Sequence, residues 1–95
     1  MIDMVVTQRV KPGMEQAFEA VVQQLAANTI ANDRGCLRYE WYRAATPQTY
    51  ILIERWTETV AVEAHLKAEH MAAITPNYRE CAAETFSVTQ LTRLD

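Results

Sequence analysis

An α+β fold with six elements in the order β-α-β-β-α-β follows from three features of the chain. Apolar residues recur at helical spacing from Met14 to Ala26, two strand-like runs flank the tetrapeptide Ala45-Thr46-Pro47-Gln48, and a last run alternates from Phe86 to Leu94. With 95 residues, the chain has room for one modest core, so residues 1–95 read as a single domain.

The first element, Met1 to Val10, is rich in β-branched residues and alternates only loosely, which suits a strand buried on both faces. Lys11-Pro12-Gly13 stops it. Met14, Phe18, Val21, Val22, Leu25 and Ala26 then mark one side of a helix of about five turns that starts behind Pro12-Gly13. It should end between Asn32 and Gly35, with Gly35 in the left-handed conformation that closes a helix.

Cys36 to Ala44 and Thr49 to Trp56 read as an antiparallel hairpin, because the connection between them is short. With Ala45 facing Gln48, the register sets Tyr39 opposite Glu54, Trp41 opposite Leu52 and Leu37 opposite Trp56. One face then carries Leu37, Tyr39, Trp41, Tyr50, Leu52, Glu54 and Trp56. The other carries Arg38, Glu40, Tyr42, Ile51, Ile53 and Arg55.

Thr57 is a good helix cap, and Val60, Ala61, Ala64 and His65 fall along one side of the helix it would start. A second short helix or turn carries His70, Met71 and Ile74 before Thr75-Pro76 interrupts it. Phe86 to Leu94 supplies the last strand. This is the ferredoxin-like split arrangement, a four-stranded antiparallel sheet with helices on one face. The helix-free face would leave Tyr42, Ile51 and Ile53 in water, an apolar patch of the kind that marks an interface, so a homodimer packed sheet to sheet is expected.

Composition removes several classes of function. Nearly half the residues are apolar and the net charge is −3, which describes a globular chain. The nine Lys and Arg residues are scattered, so no basic stripe exists to neutralise a nucleic-acid backbone. No apolar run approaches the roughly 20 residues that cross a bilayer, and Asp3 stands where a signal peptide would carry basic residues; neither nucleic acid nor membrane is an expected partner, and the expected location is the cytoplasm. Cys36 and Cys81 have no CxxC pattern and no ligand cluster nearby. They read as small buried hydrophobes, with no metal and no disulfide expected.

Chemistry concentrates around Glu54-Arg55-Trp56 and the two histidines of the chain, His65 and His70, nine and fourteen residues beyond the tryptophan. On one continuous helix, residues five apart sit roughly 140° apart, so both imidazoles reach one pocket only if the helix breaks near Lys67 to Glu69. Glu54, on the helix-covered face, needs a partner because an unpaired buried charge is expensive; Arg9 and Arg79 are candidates, as is a histidine.

The block Tyr50-Ile-Leu-Ile-Glu54-Arg-Trp56, followed by Val62-Glu-Ala-His65-Leu-Lys-Ala-Glu-His70-Met, resembles the signature of the antibiotic biosynthesis monooxygenase (ABM) superfamily, especially its bacterial quinol monooxygenase branch. Lys11-Pro12-Gly13 resembles the start of that family's first helix, and Gly35-Cys36-Leu37-Arg38-Tyr39 the start of its second strand. One departure is visible, since Ala68-Glu69 stands where the family commonly has Thr-Pro.

The resemblance implies a dimeric α/β barrel and a cofactor-independent monooxygenase. Such an enzyme deprotonates an electron-rich dihydroxy-aromatic, a hydroquinone or naphthoquinol, and lets the anion pass an electron to dioxygen. Histidine has the pKa for that base. His70 is then the base or hydrogen-bond donor on substrate, His65 a second polar contact, Tyr39 a phenolic donor, Trp56 and Trp41 the aromatic walls, and Glu54 the group that orients a histidine.

Each of these residues also has a structural reading, with His65 filling the helix layer and Trp56, Tyr39 and Trp41 in the core. Three classes therefore stay open: the oxygenase, an isomerase or other acid-base enzyme on a small oxygenated metabolite, and a non-catalytic dimeric binding domain. Heme degradation fits less well. Family members with that activity pair the helix histidine with an asparagine on strand one, where this chain has Val5, Val6 and Thr7.

Overall fold

A computed structural model describes all residues from Met1 to Asp95. Its elements are β1 (Ile2–Arg9), α1 (Glu15–Asn32), β2 (Cys36–Arg43), β3 (Thr49–Trp56), α2 (Thr59–Leu66), α3 (Glu69–Cys81) and β4 (Ser87–Leu91). The strands form one antiparallel sheet in the order β2-β3-β1-β4. The expected α+β ferredoxin-like arrangement is present, with its second helical segment divided into α2 and α3.

The helices cover one sheet face. On α1, Phe18, Val22, Leu25 and Thr29 are buried at spacings of four, three and four residues, the stripe a helix presents to a core. Leu25 and Ile74 of α3 pack with Val6, Tyr39, Leu52 and Trp56, while Phe18 and Val22 pack with Val10, Tyr50 and Cys81. Burial in β3 alternates strictly, with Tyr50, Leu52, Glu54 and Trp56 inward.

β1 is not buried on both faces as expected: Val6 and Gln8 point into the core, whereas Val5 and Thr7 are half-buried on the helix-free side. That side is amphipathic, as the hairpin pattern predicts. Val5 pairs with Ile53 and Thr7 with Ile51, but Asp3, Arg55 and Arg38 lie in a charged row beside them, and Arg38 is ion-paired with Glu40.

The hairpin register matches expectation for Tyr39 with Glu54 and Trp41 with Leu52, and departs from it at Leu37. A bulge between Cys36 and Arg38 gives Trp56 the partner Cys36 and turns Leu37 outward, 51% exposed. Gly35 has the expected positive φ of 81° and α1 ends at Asn32, within the expected range, but the residue that closes the helix is Asp33, in an extended conformation. The left-handed residue serves the turn into β2, where a Cβ would fall 2.5 Å from Thr57 Oγ1 and 2.8 Å from Ala61 Cβ. Gly35 is the point of close approach between that turn and the start of α2.

Three expectations around α2 and α3 are corrected. Glu58, not Thr57, precedes the first turn of α2, and its inward residues are Ala61, Val62 and His65, while Val60 and Ala64 are exposed. α3 runs straight through Pro76. The carbonyl that Pro76 leaves without a donor belongs to Ala72, which is exposed and can be met by water, while Met71, Ile74, Tyr78 and Cys81 keep one continuous inward stripe on both sides of the proline. Finally, β4 is shorter than Phe86 to Leu94. It is an edge strand, exposed throughout, with Val88 and Leu91 about half in water.

Candidate functional site

Asp33, at the end of α1, receives both histidines. His65 Nδ1 lies 2.5 Å from Asp33 Oδ2, and His70 Nε2 lies 2.9 Å from each carboxylate oxygen. The chain breaks where this convergence requires it: α2 ends at Leu66, Lys67 closes its last turn, and Ala68 is extended with ψ of 146° before α3 starts. The two rings end up 6.0 Å apart between centroids. An ionised carboxylate only accepts hydrogen bonds, so the facing ring nitrogens, His65 Nδ1 and His70 Nε2, donate.

Beside this cluster, between the sheet and α1, α2 and α3, is a cavity of about 720 Å³ whose wall is mostly apolar. That volume lies within the range of small-molecule pockets. His65 stands on its wall with Tyr39, Trp41 and Glu54; Leu25, Leu52 and Ile74 line its floor, and Phe86 and Val88 its open side.

His65 is 3% exposed, its Nδ1 is taken by Asp33, and its Nε2 has no partner within the chain. Its ring is held by Trp56 at 4.8 Å and Tyr39 at 5.3 Å between centroids. The arrangement is that of a fixed imidazole whose free nitrogen is the one left for the cavity.

The other predicted residues divide. Tyr39 is buried on the wall, its hydroxyl makes no hydrogen bond to the chain, and burial drives its ionisation well above the ordinary phenol range. Trp41 also reaches the wall, packed edge-on against Phe18 at 5.5 Å, with its indole N–H buried and unpartnered. Trp56 is fully buried behind the wall, supporting the His65 ring. His70 does not line the cavity, and its Nδ1 is buried and unpartnered.

Glu54 has neither Arg9 nor Arg79 as its partner, and it makes no hydrogen bond to a histidine. Its Oε1 accepts the indole N–H of Trp56 at 2.9 Å. Burial raises its pKa, while the Trp56 hydrogen bond and the nearby His65 pull it down. Arg9 instead faces Glu84 at the surface.

Sequence reasoning missed Asp33, Gln8 and Tyr78. Gln8, 1% exposed, donates to the carbonyls of Arg9 and Glu84 at 2.8 Å and accepts the Tyr78 hydroxyl at 2.8 Å, which fixes that end of the cavity. Asp33 carries no local signal, since an acidic residue between a helix and a glycine turn reads as a solvated helix end.

A sequence profile of the antibiotic biosynthesis monooxygenase family matches residues 1–76. No curated protein matches the chain at a significant level. Among solved structures, a Caulobacter crescentus protein provisionally named an antibiotic biosynthesis monooxygenase is 27% identical, with a TM-score of 0.92 over 99% of this chain and 90% of that one. The Pseudomonas aeruginosa protein PA3566 is 25% identical, with a TM-score of 0.89 over 99% of this chain and 94% of that one. A Nitrosomonas europaea protein, 20% identical with a TM-score of 0.90 over the whole of both chains, shares the fold.

Proposed function

The chain belongs to the antibiotic biosynthesis monooxygenase family, and from that premise we propose that it oxidises a small electron-rich aromatic, such as a hydroquinone or naphthoquinol, with dioxygen and no bound cofactor. The observation that carries this reading is the Asp33–His65 pair, with one imidazole nitrogen anchored and the other left for an apolar cavity.

In this reading His65, not His70, is the base. With its proton on Nδ1 and donated to Asp33, Nε2 carries the lone pair and takes the proton of a bound phenol. The apolar walls and the hydroxyl of Tyr39 hold the resulting anion, whose electron-rich ring passes an electron to dioxygen. Radical recombination at a ring carbon bearing hydrogen forms a C–O bond. Breaking the O–O bond of that peroxide and losing the hydrogen leaves a carbonyl on the ring and releases water. His70 positions Asp33, and Trp56 positions His65.

The same base would serve an isomerase that uses no oxygen, so the test is dioxygen consumption by metal-stripped protein offered a panel of hydroquinones and naphthoquinols. Uptake that His65→Ala abolishes supports the oxygenase. Lack of uptake with every member of the panel rejects it.

The strip of Val5, Ile51 and Ile53 on the helix-free face supports a homodimer joined sheet to sheet, a dimeric α/β barrel, which sedimentation equilibrium tests. The free thiols of Cys36 and Cys81 accord with a cytoplasmic setting, and residues 1–95 act as a single domain.

A further inference from the structure

We propose that Asp33, His65 and His70 form a binding site for one divalent transition-metal ion, and that an ion bound there switches off His65 as a base. Two imidazole nitrogens and one carboxylate oxygen from three different elements have their ligating atoms within 4.8 Å of one another. This mixed N/O donor set suits Zn²⁺, Co²⁺ or Ni²⁺ and not Mg²⁺ or Ca²⁺.

The present spacing, with contacts of 2.5 and 2.9 Å, is that of a hydrogen-bonded site. Tetrahedral bonds of about 2.0–2.1 Å set neighbouring ligand atoms about 3.3 Å apart, so admitting an ion requires an opening of less than an ångström at the two Asp33 contacts and a closing of up to about 1.5 Å between the imidazole nitrogens, which lie within 4.8 Å of each other. The geometry places that opening at the junction of α2 and α3, where Lys67 and Ala68 already interrupt the helix. His70, on the first turn of α3, is the most exposed of the three side chains, at 15% against 8% for Asp33 and 3% for His65.

Proton bookkeeping leads to the functional consequence. Each neutral imidazole must present a bare nitrogen to the metal, so the His65 proton moves from Nδ1 to Nε2 and the His70 proton from Nε2 to Nδ1. Neither His65 Nε2 nor His70 Nδ1 has a partner in the chain, so these moves break no hydrogen bonds beyond those the metal replaces. His65 then offers an N–H to the cavity where it had offered a lone pair. Metal occupancy and base function exclude each other.

The test titrates metal-free full-length chain with ZnCl₂ by calorimetry and with CoCl₂ by visible absorption, alongside Asp33→Asn and His70→Gln. Expected are one ion per chain, the intense visible bands of low-coordinate Co²⁺, a Tm that rises with Zn²⁺, and affinity at least about tenfold weaker in both variants. His70→Gln serves alone where Asp33→Asn does not fold. Absence of one-per-chain binding, or undiminished binding in a folded variant, overturns the site.

The inhibitory half rests on the oxygenase reading. Dioxygen uptake that saturating Zn²⁺ leaves unchanged overturns it, whereas lack of uptake in the metal-free protein fails the oxygenase reading and leaves metal binding standing.

Discussion

Asp33 Oδ2 lies 2.5 Å from Nδ1 of His65, although 32 residues separate them in sequence. The contact joins the end of α1 to the end of α2, and His70 joins the same carboxylate from the start of α3. One buried acid therefore ties three helices together beside the cavity, and its loss should be felt in both stability and activity.

Removing the proposed base should lower turnover most. His65→Ala is expected to reduce kcat by about 10²–10⁴-fold, the usual contribution of a positioned base. His70→Ala leaves Asp33 and His65 in contact and should cost no more than about tenfold. Steady-state dioxygen uptake for the two variants, side by side, checks the order; a larger loss for His70→Ala would return the role of base to that residue. Asp33→Asn should destabilise the fold by about 1–3 kcal/mol, the cost of a lost hydrogen bond to a charged group, measured by urea unfolding.

Glu54 should make stability depend on pH. Its folded-state pKa is raised above the ordinary 4.5 by burial. The folded chain keeps a proton that the unfolded chain releases, so its contribution is complete below the unfolded value and is lost as pH rises through the folded one. Glu54→Gln retains an acceptor for the Trp56 indole and removes the ionisation. The variant should melt higher than the parent at about pH 7.5, and the difference should vanish near about pH 4.

Gly35 and Gly13 separate backbone strain from crowding. Both have positive φ, 81° and 86°, but only Gly35 has neighbours where a Cβ would stand. Gly13→Ala should cost about 1–2 kcal/mol for the left-handed backbone alone. Gly35→Ala adds a clash with Thr57 and Ala61 and should cost about 2–4 kcal/mol. Thermal melts of the two variants measure the difference.

Tyr39 tests whether a buried phenol serves the fold or the ligand. Its hydroxyl has no partner in the chain, so Tyr39→Phe should leave stability within about 0.5 kcal/mol of the parent. A role in holding the substrate anion predicts a rise in KM or a fall in kcat of about tenfold from loss of one hydrogen bond.

Local chemistry wrote the elements into the sequence. The heptad-like stripe of α1, the alternation of β3 and the short hairpin connection each specify their structure over a few residues, and the pairing of Tyr39 with Glu54 followed from turn length alone. The motif around Trp56 and the two histidines was legible too, and it carried the family.

Tertiary structure decided what those residues touch. Pro76 fits inside α3 because the carbonyl it strands belongs to Ala72, an exposed residue that water can reach. Leu37 turns outward because a bulge shifts the register for one residue. Glu54 is satisfied by Trp56, two residues away on its own strand, and not by an arginine. Above all, Asp33 becomes the hub of the site only when α1 packs against the α2–α3 junction, since hydrogen bonds depend on distance in space and no pattern within a helix end records which histidines will arrive there.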